Sequence, residues 1–473
     1  MRVKLNQLPL WPKSRPWITN TILSVLGLGV LGLSRQLILE FHHFTIGFSG
    51  VAGWSVLLYA LAAAVILKLP TDRFTFALVI GFGIAFRVVT LIPEPFMSSD
   101  IYRYAWDGVV QHAHISPYRY VPGDPALAFL RSPNQNLFDH INRRDYAHTI
   151  YPPVAQFLFY VITWFNGSVT FMKLAMILFE GLTVYALVEL LHALGRRRSE
   201  ILLYAWCPLL VWEIGSSGHL DSAAMAFIAL ALLARFRQRP IATGLFLGAA
   251  ILIKFYPVVL FPALWQRKDL RMPATVVALT VFAYACYASV GSLVFGFLGG
   301  YVHEEGMESG SRYFLLQIIQ HLPGLQHISV PVYLAVLLLA LAGLAVWVWR
   351  SSNRNPAQHP APFWTTTFHL PEQASFLPGA MFLAFAMMLA FSPHYPWYVA
   401  WLIPFFVLLP NLPVFAYTLG LFYFSATSLG AGTPEAQYRL NCILYTIVLI
   451  AAMVEMFLRL RRHRSVPVEG NNA

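Results

Sequence analysis

Ser98-Ser99-Asp100-Ile101-Tyr102-Arg103-Tyr104-Ala105-Trp106-Asp107-Gly108 is a polar island in an otherwise apolar chain. Read as a helix from Asp100 to His114, it puts Asp100, Arg103, Asp107, Gln111 and His114 on one face. Ile101, Ala105, Gly108 and Val109 take the opposite face. Such a helix lies on a membrane surface, one side apolar and the other presenting two carboxylates, a guanidinium and an imidazole to solvent. The island belongs to a longer polar stretch, Glu94 to Tyr151, that also holds Ser116-Pro117-Tyr118 and Asn142-Arg143-Arg144-Asp145 and runs into Tyr151-Pro152-Pro153. This loop of residues 94–151 is where chemistry is expected.

Outward from it, the chain is membrane. Of 473 residues, 58% are hydrophobic and only 11% charged, against about a quarter charged in soluble domains. Apolar runs begin near Trp17, Val51 and Phe74 and recur at 170–194, 200–214, 221–236, 241–264, 274–300, 329–349, 376–392, 396–410, 413–430 and 440–459. The fold class is therefore an all-α integral membrane protein, residues 1–473 forming one polytopic domain. About twelve transmembrane helices are expected, with short re-entrant or juxtamembrane helices beside them. The formal charge of +11 follows from topogenic arginines and lysines, and a nucleic-acid partner is not implied. Cys207, Cys286 and Cys442 lie in apolar runs without metal-ligand spacing. The basic start, Met1 to Lys13, leads into an apolar run without a cleavage site and reads as a signal-anchor.

Basic clusters at 196–198, 235–239, 266–271, 350–354 and 459–464 set the orientation, all cytoplasmic, with both termini on that side of a cytoplasmic (inner) membrane. Two consequences follow. The run 241–264 has a cytoplasmic cluster at each end, so it must be a hairpin of two short helices broken near Lys254 and Pro257, with Lys254 near the tip. The short run after Tyr151 must dip in and return, or lie in the interface. The acids Asp100, Asp107, Glu213 and Asp221, with His219 and His394, then fall on the outer side.

Asp100 and Asp107 form the sharpest pair. One carboxylate at the boundary can deprotonate an acceptor hydroxyl, and a second can hold a metal or a sugar; a solvated face paired with Arg103 is the alternative. Arg103, Arg119, Arg143 and Arg144 are either phosphate ligands or surface charge. Trp212 to Asp221 gathers Glu213, His219 and Asp221 near hydrocarbon, where such groups are expensive unless paired or wet. Lys254 inside an apolar run is either snorkelling or a cation facing a cavity and a lipid phosphate. Ser392 to Tyr398 is an aromatic belt or, through His394, a phosphate or sugar contact. Tyr301-Val302-His303-Glu304-Glu305 reads as solvated loop. No Walker loop, G-x-G-x-x-G or His/Cys zinc pattern occurs.

At Ser99–Gly108, Ser116-Pro117-Tyr118 and Thr149–Pro153 the chain resembles the GT-C superfamily of membrane glycosyltransferases, in particular the polyprenol-phosphate-mannose-dependent mannosyltransferases of glycosyltransferase family 87. Gly218-His219-Leu220-Asp221, Lys254-Phe255-Tyr256-Pro257 and Pro393–Tyr398 carry weaker, ordered likeness. The resemblance implies transfer of a sugar, mannose foremost, from a polyprenyl-phosphate donor to a lipid or glycan acceptor on the extracytoplasmic side, with inversion. It assigns Asp100 as catalytic base and Asp107 as the acid of the Trp-Asp-Gly element. Lys254, His219, His394 and Arg103 become donor-phosphate ligands; Tyr104, Trp106, Tyr118, Tyr151, Glu213, Asp221, Trp397 and Tyr398 become substrate contacts. No cofactor is assigned with certainty, and a divalent metal (Mg or Mn) is admissible. Ser99 replaces a second acid, Ser116 the Asn of Asn-Pro-Tyr, and Leu220 the Asn of Gly-His-Asn-Asp. A lipid-linked-sugar flippase and an outer-face glycan ligase or polymerase are the other readings; no repeated halves support the first, and no large late loop the second.

Overall fold

The computed structural model describes residues 15–39, 47–353, 370–427 and 433–464. The expected signal-anchor start at residues 1–13 lies outside these. Every described element is helical, which leaves each backbone polar group satisfied within its own segment in lipid.

Three long helices open the chain: α1 (Pro16–Leu39), α2 (Gly47–Lys68) and α3 (Arg73–Leu91). Asp72 starts α3 with a capping box, its side chain accepting from the Thr75 amide at 2.8 Å while Thr75 Oγ1 accepts from the Asp72 amide at 3.0 Å. Next come α4 (Asp100–His112), short helical turns between Pro125 and His140, and α5 (Pro153–Phe165). α6 (Val169–Ala193), α7 (Asp221–Phe236), α8 (Pro240–Ile251) and α9 (Arg271–Ala285) pack in sequence, α7 between α6 and α8. The rest comprises α10 (Leu298–Glu304), α11 (Val330–Ser352), α12 (Leu377–Phe391), α13 (Leu412–Ala426) and α14 (Pro434–Arg464).

Among the described residues, seven helices are long and apolar enough to cross a membrane, and an eighth span is available if the pair Arg271–Ala285 and Ala288–Glu304, bent by 108°, counts as one. Shorter apolar helices, Pro153–Phe165, Pro240–Ile251, Pro396–Leu408 and Leu412–Ala426, supply further membrane-depth material. The run 200–214 shows why hydropathy alone does not give a crossing. It is split at Pro208 and finishes as a π-helix, Val211–Ser216, all of it buried inside the bundle.

The run 241–264 is a hairpin. α8 ends at Ile251, the chain turns through Lys254, and helical turns from Tyr256 to Leu264 bring it back. The two ends of the hairpin meet, Gln266 donating to Gln238. The run after Tyr151 is one unbroken helix, so it does not reverse within itself; α5 lies along α4 instead. The basic loops are bonded to neighbouring turns: Arg197 donates to the Leu69 carbonyl, Arg196 to the carbonyls of Val407 and Leu408, and the Arg267 amide to Asn353. A buried ion pair, Arg87–Glu180, ties α3 to α6 at 2.8 Å, the paired form in which charge persists inside a membrane bundle.

Candidate active site

A cavity of about 590 Å³ opens at the α4 end of the bundle. Its walls come from the 97–103 segment, residues 142–143 and 147–152, the Lys254 turn, α10 and the 395–398 segment. Sequence-distant parts meet there for local reasons. Gly218 adopts φ +68, and a Cβ there would sit 2.3 Å from Ile101 Cδ1. Only glycine lets the turn before α7 pass beneath α4 in that conformation. The α5 N-terminus meets the hairpin tip, the amides of Val154 and Ala155 donating to the Leu252 carbonyl at 3.1 and 3.2 Å.

Asp100, the first residue of α4, is half-buried on the cavity wall. Asn142 Nδ2 donates to its Oδ1 at 3.2 Å. Burial raises its pKa above the ordinary carboxylate value; the fields of Lys254 and Arg143 and the Asn142 bond oppose the rise, and Asp221 adds to it. Arg103 also reaches the cavity, with Nε on Asp107 Oδ1 at 2.8 Å and an Nη on the Ala147 carbonyl at 3.0 Å. Asp107 is buried and takes a second bond from Gln156 at 2.8 Å. Its place is behind Arg103, not on the cavity wall.

Lys254 faces the cavity with Nζ 2.8 Å from Asp221 Oδ2 and 5.2 Å from the centre of the Tyr398 ring. Tyr256 donates to the other Asp221 oxygen at 3.1 Å. Asp221 is fully buried and is committed to these two partners, so it positions the lysine and does not itself line the cavity. Tyr151, Trp397 and Tyr398 line the chamber, and Trp397 is stacked between Tyr395 and His219 at 4.5 and 4.2 Å.

Several expected contacts are absent from this chamber. α4 ends at His112, and His114 turns away with φ 59, so it leaves the polar stripe. That stripe is not solvated, because α5 covers it: Arg103 and Asp107 are buried, and Gln111 bonds Gln156 and Tyr287. Trp106 packs on Phe138, Tyr104 stacks on Phe159 at 4.8 Å, and Tyr118 donates to the Tyr151 carbonyl; all three are packing residues of the loop, buried away from the cavity. His219 and Glu213 face each other at 3.3 Å behind Trp397 and do not reach the chamber. His394 lies off the wall, and burial, helped by Arg312, pushes its pKa down to about 4. The segment expected as solvated loop is a wall instead: Tyr301 lines the cavity, Glu305 is buried against Arg312, and Glu304 bonds Arg143, leaving His303 exposed.

Other residues of the site were not singled out from the sequence. Asn142 sits on Asp100, Gln156 on Asp107 and Tyr256 on Asp221. Gln156 had a signal, being the lone amide in the apolar helix after Tyr151-Pro152-Pro153. For a divalent metal the donor set does not fit. Asp221 is taken by Lys254, Asp107 by Arg103 and Glu305 by Arg312, which leaves Asp100 as the carboxylate on this wall without a cation bound to it. No group of three or more His, Cys, Asp or Glu gathers to hold a metal among the described residues.

The fold and the chamber define a multi-pass, all-helical membrane protein in which two carboxylates (Asp100 and Glu305), three cations (Arg103, Arg143 and Lys254) and aromatic side chains surround one cavity. The alpha-(1->6)-mannopyranosyltransferase family, by its N-terminal domain, matches residues 19–266, just over half of the chain, and the protein belongs to that family. It is a membrane mannosyltransferase. The matched region holds Asp100, Arg103, Asp107, Asp221 and Lys254, whereas Trp397 and Tyr398 come from outside it. No curated protein matches the chain.

Proposed function

We propose that this mannosyltransferase takes mannose from a polyprenyl-phosphate donor and transfers it, with inversion, to a hydroxyl of a lipid or glycan acceptor in the Asp100 cavity. The observation that carries the reading is that Asp100 shares one chamber with Lys254 and Arg103, each cation fixed from behind by its own buried carboxylate. Asp100 accepts the proton of the acceptor hydroxyl as that oxygen attacks the anomeric carbon. The bond from that carbon to the phosphate oxygen breaks, and the phosphate leaves as an anion. Lys254 and Arg103 meet the charge that develops on it. A carboxylate whose pKa is raised by burial is a stronger base than a solvated one, and the fields of Lys254 and Arg143 oppose that rise.

Tyr151, Trp397 and Tyr398 give the sugar and the first isoprene units flat apolar surfaces. The family description supports an α-(1→6) linkage in the product. The basic loops at 196–198, 235–239 and 266–271 belong to the cytoplasmic face by the charge rule, and the Lys254 tip of the hairpin between the last two faces the cavity, which opens on the outer face of the cytoplasmic membrane, with both termini inside.

The test is transfer in membranes from labelled polyprenyl-phosphate mannose to the host lipid extract, wild type against Asp100→Asn. Loss of product at equal protein accumulation supports the base assignment. A mutant as active as wild type removes Asp100 from that role. If the mutant loses transfer and neither protein moves lipid across the bilayer, a flippase is excluded; a demand for diphosphate donors points to a ligase.

A further inference from the structure

We propose that Arg143 is a ligand of the donor's phosphodiester, and that Glu304 holds its place until the donor arrives; this rests on the donor class proposed above. Arg143 lines the same cavity as Asp100. Its Nε donates to Glu304 Oε2 at 2.5 Å, and the Tyr146 hydroxyl donates to the other oxygen at 2.9 Å. Glu304 closes α10, whose Leu298 and Tyr301 are themselves cavity wall. Glu304 therefore presents to the guanidinium what a phosphate would present, an anionic oxygen within a fork of acceptors.

The bridge is of the displaceable kind. Its side chains are 33% and 26% exposed, so solvent screens it, and a phosphodiester anion, which offers two oxygens to the guanidinium fork, competes for the same cation. Arg143 also sits at φ 54, a left-handed conformation that a non-glycine residue holds only where its surroundings impose it, and such residues gather at ligand clamps. The neighbouring Asn142 bonds Asp100. One dipeptide thus steadies the base with its first side chain and carries the exchangeable cation on its second. When phosphate takes Arg143, Tyr146 still holds Glu304, so α10 stays docked over the cavity while its carboxylate is released from the guanidinium.

Direct binding of a labelled short-chain polyprenyl-phosphate mannose to the detergent-solubilised full chain tests this, with inorganic phosphate as the second probe. Glu304→Gln keeps an amide oxygen for Tyr146 but removes the competing charge, so it should bind the lipid phosphate about tenfold more tightly and lower the donor KM with kcat unchanged. Arg143→Gln should bind about tenfold more weakly, and Glu304→Gln added to it should change nothing further. Inorganic phosphate binding that shifts in the same way shows that the headgroup alone is recognised; a shift only with the lipid shows that the chain is needed to deliver it. Equal binding by wild type, Glu304→Gln and Arg143→Gln overturns the inference while leaving the donor class intact. No binding of lipid phosphate by wild type overturns the donor class itself.

Discussion

Asp107→Asn removes a buried charge from behind the cavity without changing the shape of the side chain. Asp107 is 1% exposed, Arg103 is 6% exposed, and their contact is 2.8 Å. At an effective dielectric of 20, two unit charges at that distance attract by about 6 kcal/mol before desolvation is counted. Removing one member of such a pair leaves the other uncompensated, at a net loss of roughly 3–5 kcal/mol. The lower end is expected here, because the asparagine oxygen can still accept from Arg103 Nε and the Ala147 carbonyl still accepts from an Nη. The thermal midpoint in detergent should fall, and transfer should slow by about 10²-fold as Arg103 loses its fixed aim at the leaving phosphate. The double variant Arg103→Gln/Asp107→Asn carries no orphan charge. It should recover most of the stability and transfer no more slowly than Arg103→Gln alone. A double variant much slower than Arg103→Gln, in a protein as stable as wild type, would refute the positioning role and put Asp107 in contact with the reactants.

The acid limb of kcat/KM should lie above the ordinary carboxylate range of about 4, since burial raises Asp100 and activity is lost as pH falls through its pKa; Lys254→Met, which removes an opposing cation, should move that limb further up, whereas a limb that stays put would detach it from Asp100. Gly218→Ala forces a left-handed alanine whose Cβ meets Ile101 at 2.3 Å, and should destabilise by about 2 kcal/mol or more in a thermal-shift assay. Arg87→Met or Glu180→Met alone should lose about 3–5 kcal/mol in denaturant-unfolding measurements, while the double substitution should lie close to wild type. Chelation with EDTA should leave the initial transfer rate unchanged, because the carboxylates around Asp100 are already paired with protein cations.

Much of the fold was legible because lipid makes strong demands on a sequence. Apolar runs must be helical, and arginines on both flanks of residues 241–264 required a hairpin with Lys254 near its tip, which is how the chain turns there. Runs that hydropathy alone cannot divide were less legible: residues 200–214 break at Pro208 into buried short helices, since a segment surrounded by protein need not span lipid.

The site divides along the same line. Asp100 and Arg103 were legible from helical spacing, and both reach the cavity. Spacing gives a face but not what covers it. α5 lies along the polar stripe of α4, and this turned Asp107 and Gln111 inward and made Tyr104 a packing residue. The pairings that complete the wall had no local signature, because they are made only by the fold. Arg143 and Glu304 are 161 positions apart, and Tyr301 reaches Tyr398 across 97. Alone in the sequence, Arg143 reads equally as a phosphate ligand or a surface charge, and Tyr301–Glu305 as solvated loop. Lys254 and Asp221, 33 apart, occupy the middle ground. Each was conspicuous as a charge at membrane depth, and the energetics that make such a charge expensive also require that it have a partner. A cation and an acid stranded in neighbouring apolar runs were therefore candidates for each other, and their 2.8 Å contact holds Lys254 at the chamber instead of letting it snorkel away.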